Sequence, residues 1–325
     1  MSRLRPVIKM GKSKSYNAPA QSGGLVPFVK LHGLGNDFVL FDFREGSALA
    51  PVPLPQLKAA HFRQIADRKR SVGFDQLLVL SSSSRVHAQL EIFNADGSVA
   101  EMCGNGLRAA ALYLWSEGND SGIFHDLILM IDTKAGDRQA RLLGPLEPKI
   151  NLDEKPDGAW IETEMGRPHW PRTPASLARG VALKHRTAKA KPVVGQQLVP
   201  ILVNVGNPHA VFFLEKLPDS ERLTVWGSQV ENHRAFPRRT NVEFARVINA
   251  HQVEAKVWER GVGITEACGT GGVAVAVAAI RAGLCQSPVE VGFPGGTVEV
   301  VWDGHGSAFL RGHACESFRG QLPIY

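Results

Sequence analysis

The chain has 325 residues, a formal net charge of +6, 44% hydrophobic residues and 21% charged residues. That composition excludes a disordered chain, and the length suits two cores better than one. No apolar run reaches the ~18 residues that a membrane-spanning helix needs, so membrane insertion is not expected.

The chain opens on a basic tail, residues 1–25. It carries Arg3, Arg5, Lys9, Lys12 and Lys14 and no acid, five of the six excess charges. It lacks the apolar stretch of a secretory signal, and such a composition cannot bury a core, so it reads as a solvated extension. The remainder is nearly neutral, which argues against a nucleic-acid partner. The first strand signal is "LHGLGNDFVLFD" (31–42), followed by a helical stretch, "PQLKAAHFRQIADR" (55–68). "VHAQLEIFN" (86–94) alternates apolar and polar residues at the strand period. Next comes "EMCGNGLRAAALYLW" (101–115), a Cys-Gly-x-Gly turn opening an alanine-rich helix that Gly118 is expected to stop. "LILMIDTKAGDRQARLL" (127–143) reads as a hairpin turning at Ala-Gly-Asp. A proline-rich linker is expected over 144–172, and a basic solvated loop over "RGVALKHRTAKAKP" (179–192). Strand signals resume at "VNVGNPHAVFFLE" (203–215) and "HQVEAKVWE" (251–259). A second alanine-rich helix starts in "ITEACGTGGVAVAVAAI" (264–280), and "VEVGFPGGTVEVVW" (289–302) reads as another hairpin. Helix is otherwise scarce.

The order repeats itself. A shift of 165 residues, the distance from Cys103 to Cys268, brings the halves into register without a gap. Glu101 then meets Glu266, Gly104 and Gly106 meet Gly269 and Gly271, and Gly118 meets Gly283. Gln76 meets Asn241 and Asn94 meets Glu259, so an 18-residue spacing recurs in both halves. The expected class is therefore α+β: two pseudo-symmetric domains from an internal duplication, each a mainly antiparallel sheet or barrel wrapped around one central helix.

Of the four cysteines, Cys103, Cys268, Cys285 and Cys315, no two form a CxxC pair. A zinc ribbon or thioredoxin-like motif is not expected, and reduced thiols in a cytoplasmic setting are. A single cysteine of this kind is ordinarily a small buried hydrophobe. Two at equivalent helix starts are a different matter. A helix start offers free N–H groups and the positive end of a dipole, which is expected to lower a thiol pKa below the usual ~8.5. If the halves pair by a pseudo-twofold, the thiols flank one cleft. Inverting a carbon stereocentre requires a base on one face and an acid on the other, roles that one thiolate and one thiol exchange. Neither a Walker loop nor a Rossmann fingerprint is present, so the helix-start N–H groups and exclusion of water would have to stabilise the carbanion.

Seven segments, in order, resemble the diaminopimelate epimerase family: "KLHGLGNDFVLFD", "ADRKRSVGFDQLLVL", "EIFNADGSVAEMCGNGLR", "VNVGNPHAVFF", "RRTNVEFARV", "VWERGVGITEACGTGG" and "FPGGTVEV". They span residues 30–300. The resemblance implies interconversion of LL- and meso-diaminopimelate for lysine and peptidoglycan synthesis, without pyridoxal phosphate or metal. It implies Cys103 and Cys268 as the acid/base thiols. Gly104 and Asn105 at the first helix, and Gly269 and Thr270 at the second, would bind substrate carboxylate. Asn36, Gln76, Asn94, Asn207 and Asn241 would hold the amino and carboxyl groups. Glu259 and Arg260 would bind substrate, with His209 and Glu259 tuning the thiols; which of them serves which cysteine is left open. It implies a first domain of 26–147 plus 314–325, a second of 148–313, and often a homodimer. Cys285 and Cys315 lack counterparts and read as structural. A proline or hydroxyproline epimerase would typically carry histidine where Asn105 stands, and Arg260 suits a longer diacid. A redox dithiol and a non-catalytic binding module are the alternatives from other classes; loss of turnover on replacing either cysteine separates them from an epimerase.

Overall fold

The computed structural model describes residues 25–47, 49–50, 57–100, 102–121, 128–144, 158–172, 174, 177, 179–183 and 197–324. The basic tail, Glu101 and most of the 179–192 segment lie outside the described residues.

The strands follow one continuous hydrogen-bonded path. In the first half Leu25–Gly33, Asn36–Asp42, Gln76–Ser81, Ala88–Asn94, Ile128–Thr133, Gly136–Leu142 and Gly158–Gly166 lie side by side in chain order. The last strand, Ala308–Pro323, comes next, followed by Gly296–Val301, Val289–Phe293, Gln252–Glu259, Asn241–Asn249, Pro208–Phe213 and Ile201–Asn204. Ala308–Cys315 pair with Gly158–Gly166, while Cys315–Pro323 return to pair with Leu25–His32. That return closes the first half into a barrel, which leaves it no free edge there. Pairing is mainly antiparallel, with two parallel contacts in each half.

Two helices run through the core. Residues Leu107–Trp115 of the first, Gly104–Ser121, are all buried, as are Gly269–Ala279 of the second, Gly269–Arg281. The second helix is small and apolar all round and has no solvent face to offer, so burial on every side is its stable solution; the first is apolar from Leu107 to Trp115 apart from Arg108. The first touches strands 25–33, 36–42, 76–81, 88–94, 136–142, 158–166 and 308–323; the second touches strands 201–204 through 308–323 of the other half. The last strand touches both helices.

Several elements differ from the sequence reading. The first helix runs through Gly118 to Ser121, past a buried glycine that keeps helical backbone. Gly283, by contrast, takes φ +70° just after its helix, as a C′ glycine does. The predicted linker contains the strand Gly158–Gly166, at the junction of the two halves; its prolines flank that strand. Thr133 pairs with Gly136, so the first hairpin turns at Lys134–Ala135, slightly earlier than predicted. A helix also forms at Ser220–Glu231, where none was predicted. Asp219 caps it, accepting from the Arg222 N–H at 2.8 Å. Gly227 and the β-branched Thr224, Val225 and Val230 obscure it in sequence. Gly227 is there for space: a Cβ would lie 2.5 Å from Trp258 Cβ.

Candidate active site

The two helix starts are built alike. Gly106 N–H donates to Cys103 Sγ at 3.3 Å, and Gly271 N–H donates to Cys268 Sγ at 3.3 Å. Cys268 is the N-cap of its helix, with extended backbone (φ −136°, ψ 117°). The starts also abut. A Cβ on Gly269 would lie 3.0 Å from Asn105 Oδ1, and Leu310 of the last strand would be 2.8 Å from a Cβ on Gly104 and 3.4 Å from one on Gly269. Glycine at these positions therefore lets two helices, a strand and each other's backbone come close, which a side chain would prevent.

Around Cys103, the thiol donates to Asn36 Oδ1 at 3.8 Å, and Asn36 Nδ2 donates to Asp75 Oδ2 at 2.8 Å. Asp75 in turn belongs to an ion-pair cluster with Arg68, Asp37 and Lys30. Those pairs and the Lys30 bond to Gly73 O fix the strand ends beside the thiol. Asn105 is buried and accepts from Arg108 Nη2 at 2.5 Å. Gln76 Nε2 donates to Asn94 Oδ1 at 3.1 Å, and Asn94 Nδ2 donates to Ser98 Oγ at 3.0 Å. Gln76 Oε1 is buried without a partner among the described residues, an acceptor left open.

Around Cys268, Thr270 Oγ1 lies 3.5 Å from the sulfur and accepts from Asn207 Nδ2 at 3.3 Å. Asn207 Oδ1 accepts from His209 Nε2 at 2.7 Å, and His209 Nδ1 meets Glu243 Oε1 at 2.6 Å. The amide oxygen only accepts, so Nε2 carries a proton, and a second proton is shared between Nδ1 and Glu243. His209 and Glu243 are both buried, and burial raises the Glu243 carboxyl above the ordinary range although His209 opposes this. Asn241 Nδ2 donates to Pro208 O at 3.1 Å, and its Oδ1 accepts from Arg260 N–H at 2.9 Å. The Arg260 side chain is exposed and lies against the Arg238 carbonyl at 3.5 Å.

Glu259 acts on both thiols. Thr265 Oγ1 donates to its Oε1 at 2.6 Å, burial raises its carboxyl, and its negative charge raises both cysteines. The thiols themselves depart from the sequence reading. Burial pushes Cys103 up to about 11 and Cys268 well above its usual value, outweighing the helix-start N–H bonds, which act downward. A helix start lowers a thiol pKa where solvent still reaches it; here loss of hydration is the larger effect.

His209 thus joins Cys268 through Thr270 and Asn207, whereas Glu259 acts on both thiols. Gln76 and Asn94 form a pair of their own, and Arg260 enters the network by its backbone. Three residues were missed in sequence: Asp75, Arg108 and Glu243. Glu243 could have been found from strand periodicity, two residues after Asn241 on the same face. Arg108 could have been noticed because its register partner in the second helix is Val273.

A sheet of two halves, each lined by one buried helix, is a fold this chain shares with solved epimerases and isomerases. A hydroxyproline epimerase from Agrobacterium vitis, solved with bound trans-4-hydroxy-L-proline, superposes with TM-score 0.59 at 13% identity, covering 92% of this chain and 93% of that one. The chain belongs to the diaminopimelate epimerase family, whose sequence profile matches residues 28–170 and 201–315. It is 39% identical over 302 residues to the diaminopimelate epimerase of Rhizorhabdus wittichii, covering 92% of this chain and 96% of that protein. It is 37% identical over 295 residues to that of Erythrobacter litoralis, covering 91% and 96%. The chain is accordingly an isomerase of the epimerase class. Among the described residues no helix is long and apolar enough to cross a membrane.

Proposed function

We propose that the protein interconverts LL- and meso-2,6-diaminopimelate by a two-base mechanism, in the synthesis of lysine and peptidoglycan precursors. One observation carries the reading: two cysteines occupy equivalent, abutting helix starts, and one half-buried carboxylate, Glu259, acts on both. A thiolate on one side takes the α-proton. The electron pair stays on the α-carbon, and the thiol on the other side returns a proton to the opposite face. The first sulfur ends protonated and the second ionised, so the reverse reaction runs with the roles exchanged. N–H groups at Gly104, Asn105, Gly269 and Thr270 receive the carboxylate beside the reacting carbon and delocalise its growing charge. Asn36, Gln76, Asn94, Asn207 and Asn241 hold the remaining polar groups, and Arg260 takes the distal carboxylate. Substrate ammonium groups entering this site supply positive charge that the two carboxyl neighbours do not, which brings the raised thiols back toward a usable range.

The same proposal holds the first domain to be 26–147 plus 314–325 and the second 148–313, each a sheet closed around its helix. It also includes action without a bound cofactor, a cytoplasmic location and assembly as a homodimer. The test is exchange in heavy water. Reduced protein and LL-diaminopimelate, without added cofactor, are expected to lose the α-proton signal and yield the meso isomer. Proline and trans-4-hydroxyproline are expected to show no exchange. Absence of exchange with diaminopimelate, or equal exchange with proline, overturns the substrate assignment.

A further inference from the structure

The duplication places unlike residues behind its two cysteines. Phe38 and His209 are equivalent, each paired in parallel register with Gln76 or Asn241 respectively. Two residues along those partner strands, Leu78 and Glu243 are equivalent. They occupy matching places in space: a Cβ on Gly106 would meet Leu78 at 3.1 Å and Phe38 at 3.4 Å, while one on Gly271 would meet Glu243 Oε1 at 3.1 Å. The wall behind Cys103 is therefore apolar, and the wall behind Cys268 is an ionisable acid–imidazole pair.

The helices differ in the same sense. Arg108, five residues after Cys103, is wholly buried, and its register partner after Cys268 is the wholly buried Val273. Arg108 Nη2 donates to Asn105 Oδ1, whereas Nε and Nη1 have no partner among the described residues. Burial draws the guanidinium down only to about 10, so it stays charged at neutral pH. A buried, largely unpaired cation is costly to the fold. The fold does not need one here, because the second helix packs with valine in its place. Space is kept for it nonetheless: a Cβ on Gly312 would lie 3.0 Å from Arg108 Cζ. Among the described residues, the titratable group whose charge acts on this cation is Cys103.

We propose that Arg108 is a charge-setting residue for the first thiol, and that the unequal walls make Cys103 the more readily ionised thiol and Cys268 the one that holds its proton. This rests on the two-thiol reading above. The charged groups facing Cys103 are Arg108 from its own helix and Glu259 from strand 252–259. Those facing Cys268 are Glu259 and, from strand 241–249, Glu243, with the Glu243-bound His209 beyond it on strand 208–213. Cys103 thus has one cation against one carboxylate, while Cys268 faces two carboxyl groups, and its helix carries no cation before Arg281 in its last turn. Arg108 acts through charge and through Asn105, so it is a positioning residue and does not itself exchange protons with substrate.

The test is the pH profile of alkylation of full-length reduced protein by short pulses of chloroacetamide, read on each cysteine's peptide by mass spectrometry. A midpoint reports ionisation independently of how accessible each sulfur is. In wild type the Cys103 midpoint is expected at least about one pH unit below that of Cys268. Arg108→Met is expected to raise the Cys103 midpoint by about one unit and leave Cys268 nearly unmoved, with Arg108→Lys in between. A Cys268 midpoint equal to or below that of Cys103 in wild type overturns the proposal without any variant. So does an Arg108→Met protein in which both midpoints move together or neither moves. No substrate is present, so failure of the heavy-water exchange leaves this result readable on its own.

Discussion

The two halves share a strand order, a buried helix and a cysteine at the helix start, yet their chemistry is not duplicated. The first half backs its thiol with Phe38, Leu78 and the cation of Arg108. The second backs its thiol with His209 and Glu243, and has valine where the arginine would stand. Duplication yields two helix starts built alike, and divergence of a few buried positions surrounds their cysteines with unlike groups. A two-base inversion needs both: like positions, so that either face is served, and unlike charge, so that one sulfur starts ionised.

The comparison breaks most completely at the sulfurs. Cys103→Ser and Cys268→Ser are each expected to lower turnover by about 10²–10⁴-fold, the usual worth of a positioned acid or base. Substrate binding, measured by calorimetry, is expected to change only a few-fold. A variant that keeps most of its turnover would remove that cysteine from the chemistry.

Making the halves alike is the next largest disturbance. Leu78→Glu copies Glu243 into the first half, but Phe38 offers it no imidazole. The buried carboxyl is then unpaired, and a loss of about 3–5 kcal/mol is expected in urea unfolding. An unchanged midpoint would mean that the wall behind Cys103 is wetter than its burial implies.

The pH dependence of stability is smaller and has a definite sign. Burial holds folded Cys103 up at about 11, against about 8.5 for a free thiol. Below about 8.5 both folded and unfolded thiols are protonated, and no stability is lost. As pH rises from there toward about 11, the unfolded chain ionises and the native one does not, so stability falls. The melting temperature of wild type is expected to drop more steeply across that window than that of Cys103→Ala. Equal slopes would contradict the burial argument.

The smallest effect serves as a control away from both thiols. Asp219→Ala removes the cap of helix Ser220–Glu231 and is expected to cost about 1 kcal/mol in denaturant unfolding. Turnover per folded molecule is expected to stay unchanged.

Much of this architecture was legible in the sequence because duplication doubles every weak signal. Cys-Gly-x-Gly twice, at one spacing, located both helix starts, and the 18-residue echo marked Gln76, Asn94, Asn241 and Glu259. What stayed hidden depends on environment. Strand Gly158–Gly166 sits among prolines that look like a linker until its neighbours pair with it. Helix Ser220–Glu231 contains a glycine demanded by Trp258, a contact no local pattern carries. The expected lowering of the thiols failed because the sequence gives the N–H groups at a helix start but not the depth of burial that opposes them. Arg108 and Glu243 were in plain view as residues; their roles emerge only when each is set beside Val273 and Leu78.

The central claim, that two sulfurs address the two faces of one carbon, is tested most directly by where solvent deuterium first arrives. LL-diaminopimelate is incubated briefly in heavy water, and both isomers are separated at low conversion. With two bases, the meso product is expected to carry one α-deuterium from its first appearance, while unreacted LL substrate remains protonated. Product that retains the original proton would mean a single base carrying it across, and would contradict the account.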